Sequence, residues 1–150
     1  MITIRHATIN DVEQLTDLFD LYRIFYRQAS DRTAAKQFLQ ERVRNRESEI
    51  IVAEEEGKLI GFTQLYPQFS SVKMKKFWIL NDLFVLEVYR RMGVARGLIK
   101  AAQQFARETS AAGLLLETEK VNTAANKLYP SCGFITYEET NFYWWEKEKT

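Results

Sequence analysis

Apolar side chains recur along this chain at a spacing of two residues, then of three or four, then of two again. "MITIRHA" at the start alternates polar and apolar positions, the period of a strand with one covered face. From Asn10 the apolar positions are Val12, Leu15, Leu18, Phe19, Tyr22 and Phe25, one stripe of a helix with Asn10 or Asp11 as its cap. "SDRTAAKQFLQERVRNRES" repeats that stripe through Ala35, Phe38, Leu39 and Val43, with Ser30 and Asp31 as cap candidates. "EIIVAEEEGKLIGFTQLYP" holds two β-rich runs around Gly57 and predicts a hairpin. A third β run, "FWILNDLFV", follows the polar loop "QFSSVKMKK". Asn81 and Asp82 interrupt it. Both are poor strand formers, so the strand bulges there or the pair has a chemical task.

The second half opens with a helix from about Gly93 that puts Val94, Leu98, Ala101, Ala102 and Phe105 on one face. "GLLLETE" reads as a short buried strand. "NTAANKLYPSCG" reads as a capped helix ended by Gly133. Two closing strands, "FITYEE" and "FYWWEK", are expected on either side of "TN". The order implies a mixed α/β fold, antiparallel in its middle and parallel across the strand–helix–strand unit of residues 79–118.

Composition narrows the class. With 46% hydrophobic residues the chain can build a core, and its length suits one domain over residues 1–150. Its 21 basic and 20 acidic side chains leave a net charge of +1, which argues against non-specific nucleic-acid binding. No leader-like segment opens the sequence, and no apolar run reaches the ~18–20 residues of a membrane span. A cytoplasmic protein with no membrane role is therefore expected. One histidine, His6, and one cysteine, Cys132, give no metal-ligand set, so no metal is expected. His6 reads as a strand residue and Cys132 as a packed small side chain.

The candidate chemistry starts at "YRRMGVARGL", residues 89–98. A helix N-terminus leaves its first amides without internal partners and carries a positive dipole end. Gly93 permits a turn and a close backbone approach, while Arg90, Arg91 and Arg96 surround it with positive charge. This is an anion cradle fit for a pyrophosphate. The dinucleotide fingerprint G-x-G-x-x-G and the G-x-x-x-x-G-K-[ST] loop are both missing, so nicotinamide enzymes and nucleotide triphosphatases are disfavoured. A second motif spans residues 122–134, "NTAANKLYPSCGF", with Asn122, Ala125, Leu128, Tyr129, Gly133 and Phe134 spaced as N-x-x-A-x-x-L-Y-x-x-x-G-F. By itself it is an N-capped helix with a tyrosine in the last turn.

Together the two segments resemble the GNAT superfamily of acetyl-CoA-dependent N-acetyltransferases. Arg90, Gly93 and Ala95 fit its R/Q-x-x-G-x-G/A loop, with alanine at the last glycine position. The resemblance implies a mostly antiparallel mixed sheet, splayed in the middle and flanked by four helices. It implies acetyl-CoA as co-substrate, with pantetheine paired to the backbone of Leu83, Phe84 and Val85. The amides of Arg91, Met92, Gly93, Val94, Ala95 and Arg96 would hold the pyrophosphate, and the arginines the 3′-phosphate. Asn122, in a motif shared with Ala125, matches the asparagine that bonds the pantetheine arm. Tyr129 matches the tyrosine beside the cofactor sulfur, and a phenol can return a proton to a departing thiolate.

The family's base is less legible. "LNDLFV" is similar to the polyamine-type branch, which carries an acid where Asn81 stands. Asp82 would enter the site only through a bulge, and otherwise braces backbone amides. Glu117 and Glu119 are further candidates. Tyr26, Arg27, Asp31 and Trp78 are expected beside an acceptor groove, with Phe25 and Tyr26 as helix core in the simpler reading. The function implied is acetyl transfer to a primary amine of a small molecule or peptide. An idle acyl-CoA-binding sensor or partner module is the alternative, and a donor longer than acetyl a third. The dense aromatics of "NFYWWEK" suggest a homodimer.

Overall fold

The computed structural model describes residues 1–148 and divides the chain into two compact units, Met1–Glu117 and Thr118–Thr150. The first unit holds a five-stranded sheet in chain order. Its strands are β1 (Ile2–His6), β2 (Glu49–Glu55), β3 (Lys58–Ser70), β4 (Lys75–Val85) and β5 (Leu114–Leu115). β1 to β4 pair antiparallel, as the hairpin around Gly57 predicts, and β4 pairs parallel with β5. The connection between β4 and β5 is α3 (Val94–Glu108), which is the expected crossover.

Successive strand residues face opposite ways, so the sheet has two apolar faces to cover. Phe62, Val52, Ile50, Leu59 and Phe84 face α1 (Val12–Phe25) and α2 (Arg32–Arg44), joining Leu15, Leu18, Phe19 and Leu39 in one core. α3 covers the other face. A Cβ on Gly97 would stand 2.5 Å from Ile4 Cδ1, so glycine lets α3 sit close on β1. The helix starts depart slightly from expectation. Asp31 caps α2, its Oδ1 accepting from the Ala34 amide at 3.1 Å. Asp11 stands at the start of α1, but its carboxylate turns away to Arg5 and the Thr8 amide. Asp20 accepts from the Ser30 hydroxyl and the Asp31 amide, which fastens the connection between α1 and α2.

In the second unit α4 (Thr123–Ser131) forms as predicted. The Gly133 amide donates to the Pro130 carbonyl at 3.0 Å, and φ of +93° at Gly133 turns the chain out of the helix. The two closing strands expected from "FITYEE" and "FYWWEK" do not form among the described residues, which carry no regular structure after Gly133. Alternating apolar residues prepare a strand, but a ladder also needs a paired edge, and that is not encoded in the segment itself.

Candidate functional site

The centre of the first unit is the interruption in β4. Gln64 of β3 lies opposite Asp82, but the next residue, Leu65, lies opposite Leu80. Asn81 is thus the extra residue of a β-bulge, and the alternation of side chains changes phase across it. Phe84 faces α1 and α2 beside Phe62. Trp78, which an unbroken strand would place on that same face, instead packs against Phe105 of α3 with ring centroids 4.9 Å apart. Its indole N–H donates to Thr109 Oγ1 at 2.9 Å, and the residue is buried. Trp78 is therefore core on the α3 side, which corrects its assignment to the acceptor groove.

The same bulge exposes Asn81 and turns Asp82 inward, where it is 4% exposed. Asp82 Oδ2 accepts from Gln64 Nε2 at 2.7 Å, and Oδ1 from Asn81 Nδ2 at 3.0 Å. The Tyr22 hydroxyl of α1 also hydrogen-bonds this carboxylate and lies 3.3 Å from the Asn81 carbonyl. Burial pushes the Asp82 carboxyl above the ordinary carboxylate range, and the three donors, all neutral, oppose that rise. Tyr26 stands next to this group, 5.1 Å from the Tyr22 ring. The simpler reading of α1, in which Phe25 and Tyr26 are plain core, does not hold for Phe25, which is half exposed. Of the other acceptor-side candidates, Arg27 adopts a left-handed φ of +68° after α1 and Asp31 is engaged as a helix cap. Glu117 and Glu119 are exposed.

Three residues of this centre escaped the sequence reading: Gln64, Tyr22 and Ser48, whose hydroxyl donates to Gln64 Oε1 at 2.8 Å. Gln64 was visible as one amide inside the apolar run "LIGFTQLYP". Tyr22 looked like one more member of a helix stripe, and Ser48 carried no signal.

Beyond the bulge β4 loses its second neighbour. β5 pairs with it only at Trp78–Leu114 and Ile79–Leu115, so Leu83, Phe84 and Val85 present a backbone edge with no strand of the first unit beside it. That edge runs into the loop of residues 86–93. Arg90 folds back, its Nε donating to the Val85 carbonyl at 2.9 Å and its guanidinium carbon 5.5 Å from the Phe84 ring. Arg91 and Gly93 both have positive φ, +63° and +79°. A Cβ at Gly93 would meet nothing, so the demand for glycine there is conformational. The first bond of α3 runs from the Gly97 amide to the Gly93 carbonyl, leaving the amides of Val94 and Ala95 ahead of it at the positive end of the helix. The Val94 side chain is core, while Arg91, Met92 and Arg96 are exposed. A strand edge that no strand of the first unit pairs, leading into a helix N-terminus rimmed by arginines, fits an extended amide-containing chain that ends in a diphosphate.

Within the second unit Asn122 Oδ1 accepts from the Ala125 amide at 3.2 Å and caps α4. Tyr129 is half-buried in the last turn, its ring 5.7 Å from that of Phe134. The Phe134 amide donates to the Tyr129 carbonyl at 3.2 Å, so the helix end holds both rings in place.

Comparisons with known proteins identify the family. The profile of the acetyltransferase (GNAT) family matches residues 15–134. The chain is 48% identical over 141 residues to the uncharacterized N-acetyltransferase YhfO of Bacillus subtilis, covering 94% of this chain and 93% of that one. It superposes on the crystal structure of a probable acetyltransferase with a TM-score of 0.92 at 41% identity, covering 99% of both chains. A structure of AAC(6')-Iy in complex with the bisubstrate analog CoA-S-monomethyl-acetylneamine shares the fold, with a TM-score of 0.83 at 22% identity over 98% of this chain and 99% of that one. The chain belongs to the GNAT family of acetyltransferases.

Proposed function

We propose that this protein transfers the acetyl group of acetyl-CoA directly to a primary amine of a small molecule. The observation that carries this reading is the edge of β4 that no strand of the first unit pairs, running into the positive-φ turn of Arg91 and Gly93 at the start of α3, with a buried carboxylate on the same strand. Acetyl-CoA supplies an activated thioester carbonyl. The backbone of Leu83, Phe84 and Val85 binds its pantetheine arm, and the amides from Arg91 to Arg96 bind the pyrophosphate. Asn122 keeps its Nδ2 hydrogens for the pantetheine arm while its Oδ1 caps α4.

An amine reaches the site chiefly as an ammonium ion and must lose a proton before its lone pair can attack. Asp82 takes that proton, directly or through one water. Burial raises its proton affinity, which makes it a stronger base than an ordinary carboxylate. The new N–C bond forms as the C–S bond breaks, and Tyr129 donates its phenolic proton to the departing sulfur.

The test is release of free CoA thiol from acetyl-CoA across polyamines, amino acids, aminoglycosides and lysine peptides, with an amine-free blank. One strongly preferred amine supports transfer and names the acceptor. Silence across the panel, with acetyl-CoA still raising the melting temperature, replaces this reading by a sensor. Tyr129→Phe is expected to slow single-turnover transfer while acetyl-CoA affinity holds; full turnover would remove its role as proton donor. The homodimer belongs to the same reading, supported by the exposed run Phe142–Trp145, and sedimentation showing only monomer removes it.

A further inference from the structure

The Asp82 carboxylate is held by a side chain that is itself held. Gln64 is fully buried, and both ends of its amide are engaged. Nε2 donates to Asp82 Oδ2 at 2.7 Å, while Oε1 accepts from the Ser48 hydroxyl at 2.8 Å. The orientation is dictated by chemistry: a carboxylate accepts only, so the amide must turn its NH2 toward Asp82, and Ser48 must then donate to the oxygen left behind. The Asp82 backbone is pinned as well, because Thr63 Oγ1, also fully buried, donates to its carbonyl at 2.7 Å. Ser48 precedes β2, Thr63 and Gln64 lie on β3, and the bulge lies on β4, so three neighbouring segments converge on one carboxylate.

From this geometry we propose that Gln64, locked by Ser48, is a positioning residue that aims the Asp82 carboxylate and sets the pH at which it gives up its proton. The inference rests on the assignment of Asp82 as the proton acceptor. A buried carboxylate without donors would stay protonated too far up the pH scale to act as a base. Gln64 stabilises its charged form without adding a charge, so Asp82 remains ionisable yet keeps an elevated proton affinity. Tyr22 from α1 and Asn81 beside it are neutral donors, and burial together with the Asp82 charge pushes the Tyr66 phenol of β3 upward. Arg42 and Glu47 act on Tyr66 in opposite directions.

The experiment is the pH profile of kcat/KM for the amine, recorded for the parent enzyme, Gln64→Met, Ser48→Ala and Asp82→Asn. Methionine is close to glutamine in length and flexibility and removes the donor without opening a large cavity. Gln64→Met is expected to move the acid limb upward by about one pH unit, the order of effect of one hydrogen bond to a buried charge. Ser48→Ala should move it in the same direction by less, since Gln64 remains but is free to rotate. KM for acetyl-CoA should not change in either. An acid limb that stays put in both variants, while Asp82→Asn is inactive, overturns the role of Gln64 and leaves Asp82 as base. Full activity of Asp82→Asn overturns the base assignment itself. Should Gln64→Met fail to fold, Ser48→Ala, on a half-buried residue outside the strands, decides the matter alone.

Discussion

Asp11 and Asp82 are two buried aspartates of the same unit, 7% and 4% exposed, and their proton affinities move in opposite directions. Asp11 sits at the corner between β1 and α1. It receives both ends of the Arg5 guanidinium, at 2.9 and 2.8 Å, and the Thr8 amide at 2.7 Å. The Arg5 hydrogen bonds outweigh desolvation, and the carboxyl falls below its ordinary range. Asp82 has a similar number of donors, but all are neutral, and burial wins. Both side chains are almost closed to solvent, but Asp82 lies deeper among protein atoms and meets no cation, so depth of burial and the charge of the partner together set the sign. A carboxylate matched by a cation holds structure together. One held only by neutral donors has its proton affinity raised by burial, which suits a group that takes a proton from a substrate.

Several changes would break or sharpen this contrast. The largest effect is expected from Asp82→Asn, which should lower kcat/KM for the preferred amine by about 10²–10⁴-fold, the usual worth of a positioned base. Its melting temperature at neutral pH should equal or exceed the parent's, because a buried charge has been removed; an active enzyme, or one that melts much lower, breaks the contrast. Asp11→Ala should do the reverse. It leaves Arg5 with Glu54 and the His6 carbonyl and should cost about 2 kcal/mol by denaturant titration, with turnover per folded molecule unchanged.

The pH dependence of stability separates the two more finely. A lowered folded pKa means that Asp11 contributes stability above its unfolded pKa and loses it as pH falls through the folded value. A raised folded pKa means that the contribution of Asp82 is complete below its unfolded pKa and is lost as pH rises through the folded value. The deficit of Asp11→Asn relative to the parent should therefore shrink toward acid. Asp82→Asn should gain on the parent as pH rises. Melting curves from acid to neutral pH check this, and slopes of the same sign would refute it. The smallest effect is expected from Tyr22→Phe, which removes one neutral donor. We expect about a threefold fall in kcat/KM near the acid limb, in keeping with the net worth of a single hydrogen bond.

The helices and the loop were legible because their signals are local. The stripe of Val12, Leu15, Leu18 and Phe19, the Asp31 and Asn122 caps, and the glycines at 93 and 133 each act within a turn or two of chain. The hairpin at Gly57 and the parallel crossover through α3 follow from element order. The centre was half legible. Asn81 and Asp82 stood out as strand breakers, but which of them turned inward hung on the register of β3 against β4. Gln64 and Tyr22 were hidden for the same reason, since their partners lie far away in the chain.

By itself, then, the sequence determined where the helices and the first four strands run, where the arginine-rich turn before α3 falls, and that something irregular happens at residues 81–82. Periodicity and capping are properties of neighbouring residues, so they survive without a fold. Only the tertiary structure decided that Asn81 is the looped-out residue, that Asp82 is buried beneath Tyr22 and Gln64, and that Trp78 belongs to the opposite face. It also decided that the closing aromatic segments carry no strand among the described residues. A bulge inverts every side chain beyond it, and a proton affinity answers to the groups packed around it. Both are set by partners from distant segments, which a one-dimensional pattern does not contain.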